Sequence, residues 1–318
     1  MSLNEFQLIS EYFKSGYTTD DVLLGIGDDA AILQLVDGHR LVVSSDTLVE
    51  SIHFPVNAPP DLVARRALRV NLSDMAAMAA VPRWFTLALT LPISDAAWLQ
   101  AFSSGLHKDA AHFGCALVGG DTTKGHLNIG VQIMGTVENE STALKRSGAK
   151  PGDLLVVTGT LGDAAGALEY LDQQSPSEEI AYLQNRYWLP EPRVKFAGQA
   201  SSLINAACDI SDGLVGDVGH ICAASGLGVD IRVSELPLSN AIKQVCGEAA
   251  AQKALAGGDD YELCMAVCPE DLEALTTVSK ALNVPVTVVG VFRDGESVSC
   301  LDESNQPLAK DPSGYRHF

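Results

Sequence analysis

No stretch of this chain approaches the ~20 consecutive apolar residues that a membrane-spanning helix requires. The longest apolar run, around Trp84 to Leu91, stops at Pro92 and suits a buried strand. The opening residues Met1-Ser-Leu-Asn-Glu-Phe6 carry neither the basic nor the apolar region of a secretory signal, so the expected compartment is the cytoplasm. Basic residues are scarce, with 21 Lys and Arg against 40 Asp and Glu and a formal net charge of −19. That balance argues against nucleic acid or an anionic membrane as partner, because phosphate surfaces are bound by basic ones. No Cys-x-x-Cys pair occurs, and the cysteines number an odd seven. Most sit in apolar stretches, where a free thiol behaves as a small buried hydrophobe. Also missing are the P-loop, the His-Arg-Asp set of protein kinases, the Gly-x-Ser-x-Gly elbow and His-Glu-x-x-His.

What the chain has instead is six short segments in which aspartate stands beside glycine, serine or threonine. They are Gly25-Ile-Gly-Asp-Asp29, Ser44-Ser-Asp-Thr47, Asn71-Leu-Ser-Asp74, Gly119-Gly-Asp-Thr-Thr123, Asp209-Ile-Ser-Asp-Gly213 and Gly257-Gly-Asp-Asp-Tyr-Glu262. Carboxylates repel one another and converge stably only around hard cations, for which Mg²⁺, Mn²⁺ or Ca²⁺ are the matching ions. Adjacent glycines let backbone amides approach a phosphate. The pattern therefore reads as a nucleotide held through several divalent metals. Each segment alone is more often only a cap or a turn; six in one chain shift the balance.

At 318 residues, two domains are expected. Helical spacing is predicted over Asn4–Lys14, Asp61–Ala80 and Asp95 to about Phe113. Strands are predicted at Val22–Ile26, Ala31–Leu35, Leu41–Ser45, Trp84–Leu91, Cys115–Val118 and Leu127–Val137. Apolar periodicity lapses over Glu138–Asp153, which separates an N-terminal domain, 1–138, from a C-terminal one, 150–318. The second half restarts with a strand at Leu154–Thr158. It continues through a polar loop at Gln173–Glu179, helices at Val194–Ile204, Leu214–Ala224, near Ile242 and at Leu272–Leu282, and strands at Val229–Val233, Leu263–Val267 and Val284–Phe292. The fold class is α+β, two domains each with a mixed sheet and helices packed on it.

Among single residues, Asp74 stands out because an unpaired carboxylate inside an apolar helix is costly and a ligated cation would offset that cost. Gly25-x-Gly27-x-x-Ala30 fits a dinucleotide fingerprint only formally, since Asp28 and Asp29 would repel a bare pyrophosphate. Gly119-Gly120-Asp121 is expected just past the end of its strand. Arg146 is equally readable as a phosphate contact or a solvated linker residue, and His53 as a structural histidine or a substrate contact. A non-catalytic Ca²⁺-binding or scaffolding protein is the contrasting possibility, disfavoured because the aspartates are scattered along the chain.

In order and across essentially the whole chain, GIGDDAA, SSDTLVESIHF, NLSDMAAMAA, LVGGDTT, KRSGAKPGD, DISDGL, GGDDYEL and the terminal GYRHF resemble the thiamine-monophosphate kinase family. Its wider superfamily includes aminoimidazole ribonucleotide synthetase, selenophosphate synthetase and a hydrogenase-maturation carbamoyl dehydratase. The resemblance implies transfer of phosphate from ATP to thiamine monophosphate, with several Mg²⁺ ions, no protein nucleophile and a homodimer formed through the N-terminal sheets. It implies metal ligation by Asp29, Ser44, Ser45, Asp46, Asp74, Asp121, Asp209 and Asp212, with Asp46, Asp74 and Asp121 expected to share ions. It further implies nucleotide contacts at Gly120, Asp121, Arg146 and Ser211, and thiamine-phosphate contacts at His53, Glu262 and Tyr315. Ser45 stands where threonine is common, and Asp259 where glutamate is common. The chain lacks the N-terminal reactive cysteine of selenophosphate synthetase and the terminal cysteine of the carbamoyl dehydratase.

Overall fold

The computed structural model describes residues 5–138 and 143–308. The chain divides into two compact units, residues 1–75 with 80–142, and residues 143–318 with Ala76–Ala79. Both combine a sheet with packed helices, the α+β class expected from the sequence.

The first unit contains α1 (Glu5–Tyr12), β1 (Val22–Leu24), β2 (Ile32–Leu33), β3 (His39–Val49), α2 (Pro60–Ala77), β4 (Val81–Leu91), α3 (Ala96–Phe113), β5 (Ala116–Lys124) and β6 (Asn128–Glu138). β1 and β2 pair as a small ribbon, and the main sheet runs β3-β6-β4-β5. α3 begins where the Asp95 side chain accepts the Trp98 amide, and ends at Gly114 in the left-handed region at φ 66. α2 and α3 are tied by Asp109, buried, which accepts from Arg69 Nε at 2.5 Å and Arg65 Nε at 3.0 Å. Burying a carboxylate is costly unless it is paired and hydrogen-bonded in this way.

The second unit contains β7 (Leu154–Thr158), α4 (Asp163–Ala167), α5 (Glu178–Trp188), α6 (Val194–Ala200), β8 (Ala206–Asp209), α7 (Leu214–Ser225), β9 (Gly228–Arg232), α8 (Asn240–Cys246), α9 (Ala250–Ala256), β10 (Leu263–Val267), α10 (Leu272–Leu282), β11 (Val286–Arg293) and β12 (Val298–Leu301). Its sheet has the order β12-β9-β11-β7-β10-β8. β7, β8 and β10 are buried at nearly every position, and β7 and β10 read as apolar runs because both faces are covered. One face packs Leu155, Val157, Ile231 and Phe292 against Leu214, Val218 and Ile221 of α7. The other packs Val156, Met265 and Val267 with Phe196 of α6 and Leu275 of α10.

Two expectations are corrected. β3 and β5 extend well beyond Leu41–Ser45 and Cys115–Val118, so Ser44–Thr47 and Gly119–Asp121 lie inside strands. Pairing with β6 and β4 carries these polar and glycine residues as ladder positions, overriding their weak strand propensity.

Candidate active site

In the first unit, β3 and α2 bring Ser44, Asp46 and Asp74 together. The Ser44 hydroxyl donates to Asp74 Oδ2 at 2.5 Å, and Asn71, one turn earlier on α2, accepts the Asp46 amide at 3.1 Å. Burial and then the charge of Asp74 push the Asp46 carboxyl up to about 6. Two half-buried carboxylates, one of them bonded to a serine hydroxyl, form an oxygen-only donor set suited to a hard cation. Among the described residues, however, no three His, Cys, Asp or Glu side chains already stand as a metal-binding group.

Asp121 is not beside them. Asp46 shares a ladder row with Val131, Leu87 and Gly120, and Asp121 shares the next with Thr47, Gly130 and Ala88. β3 and β5 are the two edge strands. Three strand spacings separate them, roughly 14 Å. The expectation that Asp46, Asp74 and Asp121 share ions therefore fails within a single copy of this backbone. Asp121 instead lines a cavity of about 600 Å³ with Gly120, Gly119, Thr122, Asp28 and Asp29. Gly120 has φ +147, and a Cβ there would lie 1.9 Å from the Leu87 carbonyl oxygen, so only glycine fits. Ser45 is exposed on β3. His53 Nδ1 accepts the Val49 amide at 3.0 Å, and its neighbours Glu50 and Phe54 line a second cavity of about 540 Å³ with Trp98.

The second unit holds Arg146, Asp209, Ser211, Asp212 and Glu262. Asp209 ends β8, and the turn after it is fixed from the helix side by Asp217 of α7. One oxygen of that carboxylate accepts both the Ser211 amide at 3.0 Å and the Asp212 amide at 2.9 Å. Burial pushes the Asp217 carboxyl up to about 7, against the two amides and the charge of Arg146, which pull it down. Sequence reading missed Asp217; the available signal was a carboxylate five residues past Asp212 within the apolar helix 214–225. Truncation by Asp217→Ala should leave the two amides unpaired and cost about 2 kcal/mol, while Asp217→Asn, which keeps an acceptor, costs less. Urea denaturation of both variants checks this, and equal losses would remove the capping role.

The Glu262 side chain is wholly buried and bonded to Arg186, Arg193 and Thr158. Burial raises its pKa, but Arg193 and Arg186 outweigh that and hold it below the usual carboxylate range. Tyr315 lies outside the described residues.

Residues 27–137 match the AIR synthase related protein N-terminal domain, and residues 150–302 its C-terminal domain. The chain is 43% identical over 323 residues to thiamine-monophosphate kinase of Escherichia coli K12, covering 100% of this chain and 99% of the relative. Against the Bacillus subtilis protein of that name the identity is 33%, covering 99% of this chain and 100% of the relative. The chain belongs to the thiamine-monophosphate kinase family. Within the family, the crystal structure from Stenotrophomonas maltophilia K279a superposes with a TM-score of 0.86 at 39% identity, covering 97% of this chain and 99% of that one. A structure of AaThiL complexed with AMPPCP and TMP gives 0.80 at 31% identity, covering 92% of each chain. The hydrogenase maturation protein HypE of E. coli reaches 0.80 at 22% identity, a likeness of fold alone.

Proposed function

We propose that this chain catalyses ATP-dependent phosphorylation of thiamine monophosphate to thiamine diphosphate, a step of thiamine diphosphate biosynthesis in the cytoplasm. The observation that carries the reading is full-length likeness to thiamine-monophosphate kinases, one family structure being complexed with AMPPCP and TMP. The donors Asp29, Ser44, Ser45, Asp46, Asp74, Asp121, Asp209 and Asp212 hold divalent cations. Those cations, when bound, neutralise two phosphate groups that otherwise repel. Gly120 offers its backbone to the nucleotide, with Asp121, Arg146 and Ser211, while His53, Glu262 and Tyr315 contact the thiamine substrate. Transfer is direct. The acceptor is a phosphate monoester whose second pKa lies near ~6, so at neutral pH it is already mostly the dianion and needs no general base. What remains for the protein is alignment and charge screening.

The working form is a homodimer. Asp46 and Asp121 occupy opposite edges of one sheet. A second copy that sets its β5 edge near the β3 edge of the first would bring Asp121 of one copy toward Asp46 of the other. ADP release should require both thiamine monophosphate and Mg²⁺, and a screen of other phosphorylated metabolites should leave it near background. Asp46→Asn and Asp121→Asn should each be inactive alone. Mixed after unfolding and co-refolding, they should regain activity, approaching roughly a quarter of wild type if copies pair at random and one of two sites per heterodimer is intact. No recovery in a verified heterodimer would mean that each copy completes its own site.

A further inference from the structure

Two thiols of the second unit stand in contact next to the turn that carries Asp209, Ser211 and Asp212. Cys208 of β8 and Cys264 of β10 face each other directly across the antiparallel ladder, with Asp209 and Leu263 as the next pair. Their sulfurs lie 3.2 Å apart. Both side chains are buried in the cluster that includes Leu214, Val218 and Ile221 of α7. Opposed residues of an antiparallel ladder have Cα atoms ~4.5–5.5 Å apart, inside the ~4.4–6.8 Å that a disulfide spans. Their Cβ atoms are usually ~4.5–5.5 Å apart, against ~3.8 Å in a disulfide, so bridging draws the two strands together.

The strand that yields is β8. β10 is held on both sides, between β7 and β8, whereas β8 is the edge strand of its sheet. Only four residues long and hydrogen-bonded along one flank, β8 opens more readily than the interior of the sheet. Opening is also the route to reaction. In the closed ladder the hydrogen bond to Cys264, and then burial, push the Cys208 thiol well above its ordinary value, so little nucleophilic thiolate exists there. Asp209 ends β8, so a displaced strand carries the following turn with it. The Cys208 thiol also donates to the Asp217 carbonyl at 3.3 Å, and the Asp217 carboxylate accepts the Ser211 and Asp212 amides. A disulfide removes that S–H donor and pulls on β8, and thus acts on the Asp209–Gly213 turn from both of its ends.

We propose that Cys208 and Cys264 are a redox-sensitive dithiol, which a low-molecular-weight disulfide closes into a cross-strand bridge that shifts the Asp209–Gly213 turn. The thiolate of one cysteine attacks the reagent and displaces one thiol, and the second cysteine then attacks the mixed disulfide. One S–S bond forms in the protein as two cysteines are oxidised. The reagent's S–S bond breaks, and it leaves as two thiols that carry away the two electrons and two protons. The inference goes beyond the kinase reading and uses it only for the activity arm. The test treats the full-length protein with glutathione disulfide, maps linked peptides by mass spectrometry, and follows amide exchange and initial rates. The expected product links Cys208 to Cys264. In that product the Ser211 and Asp212 amides should exchange roughly tenfold faster, with the β9 and β11 amides little changed. At saturating substrates kcat should fall about tenfold, and dithiothreitol should restore both readings. Cys264→Ala, or Cys208→Ala should the first variant fail to fold, should keep its rate through the same treatment. If the less buried Cys246 and Cys268 are oxidised and no Cys208–Cys264 link forms, the proposal falls. A link that leaves the two amides or kcat where they were would also overturn it, as would a rate loss in the alanine variant equal to that of wild type. A wild-type protein inactive on thiamine monophosphate would refute the kinase reading alone, and linkage and exchange would still decide the switch.

Discussion

Gly120→Ala should unfold the first unit some 6–12 °C below wild type and abolish ATP binding, whereas Gly119→Ala, one residue away, should be close to neutral. The contrast follows from the backbone. At Gly120 an added Cβ would sit 1.9 Å from the Leu87 carbonyl oxygen and the φ of +147 is itself hostile to a side chain; at Gly119 the nearest atom is Thr86 Cγ2 at 4.0 Å. Relieving the clash means prising β5 from β4, where Leu87 and Gly120 pair directly. Over-packing of this kind costs about 3 kcal/mol. Because Gly120 and Asp121 line the same cavity, the displacement also moves the backbone proposed to face the nucleotide. Thermal melts with and without Mg²⁺-ATP check both effects. Equal melting of the two variants would show that the strand yields and that the close approach is not a constraint.

Where the sequence was legible, one physical signal dominated its neighbourhood. The apolar spacing around Asp74 announced both the helix and the out-of-place carboxylate, and α2 (Pro60–Ala77) carries it as expected. β7, β10 and α10 were placed at their observed bounds because continuous apolar runs or regular spacing had sharp polar edges. Paired glycines misled at Gly119-Gly120, where ladder pairing with β4 carried the strand to Lys124. The polar stretch Gln173–Glu179 hid the start of α5, whose cap is Ser177 accepting from Ile180. β8, α9 and β12 went unread because each spans no more than seven residues and is interrupted by polar residues, so neither a period nor an unbroken apolar run shows. For the site, local motifs found the acidic segments, but not which of them meet. Asp121 on the far edge strand, and Glu262 turned inward to two arginines, are consequences of sheet order and burial that spacing does not encode.

Asp74→Asn is expected to separate metal function from packing, because it should hurt activity and help the metal-free fold. Asparagine keeps the shape and an oxygen for the Ser44 hydroxyl, which now reaches Asp74 Oδ2 at 2.5 Å. What it removes is one of two facing charges. Asp46 is already pushed up to about 6 by burial and by the charge of Asp74, so losing that charge eases its ionisation. Without divalent cation the variant should therefore be more stable than wild type at neutral pH, by about 1 kcal/mol. With cation the order reverses, since wild type gains binding energy in its folded state that the variant lacks. At limiting Mg²⁺, turnover should fall roughly 100-fold, a loss of about 2.7 kcal/mol in transition-state stabilisation. Melting curves in EDTA and across a Mg²⁺ series, beside initial rates, read all three effects. If Asp74 served packing alone, Asn would destabilise with or without metal and leave the Mg²⁺ dependence of the rate where it was. The crossing of the two stability curves as Mg²⁺ rises is the signature that only a ligand role produces.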